Sequence, residues 1–144
     1  FQIVPGEPVL VLDVAHNPQS VAALALNLDQ MGFYPETRAV FGAMRDKDVP
    51  ALLQRMAPLV DHWHFCTLDT ARAARADELA QAWSATGPAN PKAGVQCHDS
   101  AAQGLRAAVD AADPAGRIVV FGSFYTVGGV LKEGLPRRTA PHLG

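Results

Sequence analysis

Short apolar runs punctuate the chain, and between them the apolar residues recur at helical spacing. Pro8 to Val14, Arg38 to Phe41, His62 to Cys66, Gly94 to Cys97 and Gly116 to Gly122 read as strands. The first and last are nearly continuous in Val, Leu and Ile, the pattern of strands covered on both faces. After the first run, Val21, Leu24, Ala25, Leu28 and Met31 share one helical face, opened by Asn17 and Pro18 and closed by Gly32 as a C-cap. After the second, Asp46 or Asp48 can cap a helix with Pro50 in its first turn and Leu52, Leu53, Met56 and Leu59 as its buried stripe. That helix breaks between Pro58 and Asp61.

A third helix is expected from Asp77-Glu78, with Gly87 to Pro91 as the break beyond it. Asp99 or Ser100 is the capping candidate for a fourth, with Leu105, Ala108, Val109 and Ala112 inward, and Val127 to Glu133 predicts a fifth. Strand and helix therefore alternate. The expectation is an α/β, Rossmann-like three-layer domain, a mostly parallel sheet with helices on both faces. Residues 1–134 are read as that domain and 135–144, with two prolines and two arginines, as a surface tail.

Composition narrows the function classes. A chain of 144 residues that is 49% hydrophobic can build one ordinary core. With 18% charged residues and a net charge of -2 it has no basic field, so neither nucleic acid nor an anionic membrane is an expected partner. No apolar run approaches the roughly 20 residues that cross a bilayer, and no basic segment leads into an apolar one near the start. Cys66 and Cys97 lack CxxC spacing and read as core thiols, which fits a reducing cytoplasm. The chain begins at Phe1-Gln2 without a methionine, and is expected to be a piece of a longer polypeptide.

Candidate chemistry gathers where strands end. Asp13 and His16 follow the first strand, the edge at which open α/β sheets bind ligands. Asp13 can accept from ribose hydroxyls or cap a neighbouring helix; no GxGxxG follows it, so a standard dinucleotide cradle is not expected. His16 can face a phosphate or carboxylate at the helix start, or be an incidental loop residue. Ser123 and Thr126, beyond the last strand, can hold a carboxylate or form an ordinary hydroxyl cap, and Gly122 lets the backbone turn before them. No GxSxG elbow surrounds Ser123. Lys47 between Asp46 and Asp48 reads as a solvated charge cluster. His62 and His64 share one strand face without a third metal ligand, so no metal site is expected within the chain. There is no GxxxxGK[ST] loop, and ATP chemistry would need another domain.

Three segments together are more specific than any one. Leu12-Asp13-Val14-Ala15-His16-Asn17-Pro18, Phe41-Gly42-Ala43-Met44-Arg45-Asp46-Lys47-Asp48 and Phe121-Gly122-Ser123-Phe124-Tyr125-Thr126-Val127 closely resemble successive motifs of folylpolyglutamate synthase/dihydrofolate synthase. The resemblance extends to about Glu133 and is to the C-terminal domain of that ATP-dependent Mur ligase family. It implies an enzyme that activates a carboxylate of dihydropteroate or a folate as an acyl phosphate, using ATP and Mg2+, and joins L-glutamate to it. By the same resemblance Asp13 matches the aspartate on the ATP ribose, His16 a catalytic residue lining the cleft, and Ser123 a residue placing the incoming glutamate.

The resemblance attaches no role to Asp46-Lys47-Asp48. It places the phosphate loop, the metal ligands and the pterin pocket in an N-terminal ATPase domain of the same polypeptide, absent from this sequence. A Gly-Arg-Phe-Gln motif normally precedes this domain, and its arginine, also an ATP contact, would lie just before Phe1. The chain alone is then half of a cleft, expected to fold without catalysing. Another Mur-type amino-acid ligase, or a non-catalytic nucleotide-binding module on the same fold, are the other readings.

Overall fold

A computed structural model describes residues 1–86 and 92–135. The expected break at Gly87 to Pro91, and all of the expected tail beyond Leu135, lie outside the described residues. The strands are β1 (Gln2–Val4), β2 (Val9–Leu12), β3 (Thr37–Phe41), β4 (His62–Cys66), β5 (Gly94–His98) and β6 (Arg117–Phe121). The helices are α1 (Pro18–Asp29), α2 (Val49–Met56), α3 (Ala76–Ala85), α4 (Ala101–Ala111) and α5 (Phe124–Lys132), with a 3-10 turn at Ala57–Leu59.

The sheet order is β1-β2-β6-β3-β4-β5, parallel except for β1, which runs antiparallel along β2. Alternate side chains of the central strands enter two separate cores. Val11, Ala39, Phe41, Trp63, Phe65, Val119 and Phe121 pack with α1, α2 and α3. Leu10, Leu12, Val40, Cys66, Ile118 and Val120 pack with α4 and α5. This is the three-layer α/β arrangement expected, and its strands are apolar on both faces because both faces are covered.

Most of the differences in detail have local causes. β1 was not expected as an element; three residues carry too little periodicity to declare a strand. β2 is shorter than Pro8 to Val14, since Val14 turns outward to 36% exposure. Helix α1 ends at Asp29 with Gln30 as its C-cap, and Gly32 lies two residues beyond, at φ +95°. α3 starts at Ala76 with Arg75 in the capping position. α5 starts at Phe124 rather than Val127, because Ser123 caps it directly while Phe124 and Tyr125 stay exposed. Of the two cysteines only Cys66 is buried; Cys97 lies exposed on the edge strand β5, so the expectation of two core thiols fails there.

Topology picks out the end of β6. The helices after β2 and β3 cover one face, while α5, after β6, covers the other. β6 lies between β2 and β3, so the chain diverges to opposite faces on either side of it. Such switch points open crevices at the carboxyl edge of a parallel sheet.

Candidate functional site

Three loops meet at that edge. Asp13 N–H still donates to Val120 O (2.9 Å), extending the β2 ladder by one bond. The Gly122 amide donates to Ala15 O (2.9 Å), joining the loop after β6 to the loop after β2. Gly122 has φ +120°, and a Cβ there would sit 2.0 Å from Gly42 O. Only glycine lets these backbones approach so closely.

Asp13 is partly buried, with Oδ1 accepting from Ala15 N–H at 2.8 Å. Its Oδ2 lies 3.6 Å from the Phe1 nitrogen. The β1–β2 register, with Gln2 opposite Leu12, is what brings Phe1 beside Asp13. Asp13 thus caps its own turn with Oδ1, while Oδ2 faces the Phe1 nitrogen.

The His16 Nδ1 lies 3.1 Å from Val14 O. A carbonyl only accepts, so Nδ1 carries hydrogen and, in the neutral ring, Nε2 keeps a lone pair. Asn17 caps α1 in a reciprocal box: its Oδ1 accepts from Ser20 N–H (2.8 Å), and Ser20 Oγ accepts from Asn17 N–H (3.2 Å). The same Ser20 oxygen accepts from His16 N–H at 3.1 Å. The cap therefore fixes the backbone from which His16 projects.

Ser123 is 6% exposed and caps α5, its Oγ accepting from Thr126 N–H at 3.1 Å. Thr126 is fully buried and donates its hydroxyl to Gly42 O at 2.9 Å. Asp13, His16 and Ser123 thus stand on two neighbouring strand ends, tied through Gly122 and Ala15. Lys47 and its neighbours occupy the loop after β3. Asp48, not Asp46, caps α2, through Ala51 N–H. That loop is tied sideways by Arg45 N–H to Arg72 O (2.8 Å) and Ala74 N–H to Ala43 O (3.0 Å). A separate cleft of about 640 Å3 lies at the ends of β4 and β5 against α5, beside Asp69, Asp99, Ser100, Tyr125 and Lys132. None of Asp13, His16 or Ser123 lines it.

The pair His62 and His64 separates in role. His62 Nε2 lies 3.5 Å from Glu36 Oε2, whereas His64 is buried between Arg38 and His98. Arg38 can only donate, so His64 Nε2 (3.2 Å away) accepts, and its Nδ1–H donates to His98 Nε2 at 3.0 Å. Burial first, then the neighbouring His98, Arg38 and His62, holds the His64 pKa down at about 3; burial also lowers that of His98. Glu36 completes the cluster, accepting from Arg38 Nε at 3.0 Å. Two histidines on one strand face were visible in the sequence, but His98 and Glu36 come from elements far along the chain. Among the described residues no group of three His, Cys, Asp or Glu side chains is placed to hold a metal ion, and no helix is long and apolar enough to cross a membrane.

Residues 1–124 match the family model described as "Mur ligase, glutamate ligase domain". The dihydrofolate synthase/folylpolyglutamate synthase of Escherichia coli is 33% identical over 132 residues, which cover 92% of this chain and 29% of that protein. The Haemophilus influenzae protein of that name is 32% identical over 122 residues, covering 83% of this chain and 27% of the relative. E. coli FolC in complex with DHPP and ADP superposes with a TM-score of 0.82 at 31% identity, across 92% of this chain and 30% of that one. A bifunctional folylpolyglutamate synthase/dihydrofolate synthase with Mn, AMPPNP and L-glutamate bound superposes at 0.79 and 33% identity, with the same two shares. The chain thus spans under a third of the length of these relatives.

Proposed function

The chain belongs to the glutamate ligase domain family of the Mur ligases, and from that premise we propose that it is the C-terminal domain of an ATP-dependent folylpolyglutamate synthase/dihydrofolate synthase. The full polypeptide adds L-glutamate to dihydropteroate or a folate, and residues 1–134 are the domain that helps bind ATP and glutamate. The observation that carries this reading is the meeting of Asp13, His16 and Ser123 on the two strand ends flanking a topological switch point.

ATP fits the chemistry of this edge. Asp13 Oδ1 is satisfied by Ala15, and the remaining oxygen accepts from the ribose hydroxyls. The resemblance adds an arginine before Phe1 as a second ATP contact. His16, its Nδ1 tied to Val14 O, offers Nε2 to the reacting centre, and Ser123 helps to place the incoming glutamate. The N-terminal ATPase domain of the same polypeptide supplies the phosphate loop, the Mg2+ ligands and the pterin pocket. Its closure over this edge aligns the glutamate amine and keeps water away from the activated carboxylate. A cytoplasmic setting, where these substrates and free thiols coexist, belongs to the same proposal.

The test is glutamate-dependent phosphate release by the full-length polypeptide given ATP, Mg2+ and either dihydropteroate or a reduced folate. Turnover with L-glutamate is expected, and none from the 144-residue chain alone. Turnover only with another amino acid would assign a different Mur-type ligase, and no turnover would favour a non-catalytic module.

A further inference from the structure

The hydroxyl hydrogens around Ser123 have only one self-consistent arrangement. Thr126 has a single hydroxyl hydrogen, and Gly42 O, 2.9 Å away, can only accept it. At the 3.2 Å contact between Ser123 Oγ and Thr126 Oγ1, the serine must therefore be the donor. The Thr126 amide meanwhile donates to Ser123 Oγ at 3.1 Å. One residue thus takes the only hydrogen of Ser123 and one of its two lone pairs.

Both side chains are buried, Thr126 completely and Ser123 to 6% exposure, so water does not compete for these bonds. The chain of donors runs from the end of β6, through Thr126, to the end of β3. We propose that Thr126 is a positioning residue for the incoming amino acid: it fixes the Ser123 hydroxyl and sets the β6 and β3 loops against each other. The inference rests on the reading of Ser123 as a glutamate contact. Its geometric basis is independent of that reading, because the direction of each bond follows from donor and acceptor chemistry alone.

Thr126→Val keeps the side-chain shape but removes both hydroxyl bonds, while the amide bond to Ser123 stays. In the full-length polypeptide this variant should raise KM for glutamate about tenfold, the equivalent of one lost hydrogen bond of roughly 1.4 kcal/mol, with KM for ATP within twofold. Thr126→Ser, which restores the hydroxyl, should return glutamate KM to within about twofold. A merely structural threonine would shift both substrates together. Because Thr126 acts through Ser123, Ser123→Ala/Thr126→Val should be no worse for glutamate than Ser123→Ala alone. If Ser123→Ala impairs glutamate but Thr126→Val does not, or if the two effects add, the positioning role is overturned and the reading of Ser123 stands. If Ser123→Ala leaves glutamate KM unchanged, the reading of Ser123 falls, and the role of Thr126 with it.

Discussion

His16 stands in the loop at the edge of the parallel sheet and His64 within a strand; both carry hydrogen on Nδ1, but they are held by very different partners. His16 follows β2 at the carboxyl edge, and among the described residues its side chain bonds to Val14, two residues away. His64 lies inside β4, and its partners Arg38 and His98 lie 26 and 34 residues away along the chain. Among the described histidines the strongest displacement of a pKa is at His64, where the cluster joins β3, β4 and β5. At the edge that carries the family motifs, the side chains of Asp13, His16 and Ser123 instead hydrogen-bond residues only two or three positions away. Perturbed titration marks function only when it comes with access; at His64 it marks a buried device of the fold.

The largest separation between the two regions should come from Arg38→Met. That change leaves His64 and Glu36 without their common partner, and urea unfolding of the chain should show a loss of roughly 3 kcal/mol. In the full-length polypeptide the ratio of glutamate to ATP KM should stay unchanged. A selective change in either substrate would break the division between fold and site.

A pH series tests the same cluster. In the native state His64 is neutral down to about pH 3, whereas unfolded it titrates near 6.5. Between those values the unfolded chain binds more protons. Stability should therefore be complete above pH 6.5 and fall as pH drops toward 3, by up to about 1.4 kcal/mol per pH unit from this ring. His98, also lowered, acts in the same direction. His64→Gln should flatten the slope; an equal slope in that variant would remove His64 as its source.

Smaller effects belong to the edge. Asn17→Ala deletes the reciprocal cap of α1 and should cost about 1 kcal/mol in the same unfolding assay. His16→Ala should change stability by less than about 0.5 kcal/mol while lowering turnover in the full-length polypeptide. A large stability loss at His16 would mean that the two regions differ less than their bonding suggests.

The periodicity of the chain was enough to anticipate the fold, because the strands β2 and β6 are apolar on both faces and helices α1 and α4 carry clear buried stripes. What stayed hidden depended on long-range pairing. β1 is a strand only because Leu12 and its neighbours offer a free edge to pair with. Cys97 has an apolar neighbour in Val95, yet the strand they share is the exposed last one of the sheet. At the site, Asp13, His16 and Ser123 were legible as strand-end residues. That Ser123 is buried and bound to Thr126, and that Thr126 reaches Gly42, required the register of β3 against β6.

The central claim is that the end of β2 meets the nucleotide. The direct measurement is KM for ATP of Asp13→Ala in the full-length polypeptide, with thermal unfolding recorded alongside. Loss of a charge-assisted contact to the ribose predicts a rise of about tenfold or more, with the domain still folded and its stability lowered by only about 1 kcal/mol for the lost Ala15 N–H bond. An ATP KM equal to that of the unmodified polypeptide would contradict the account.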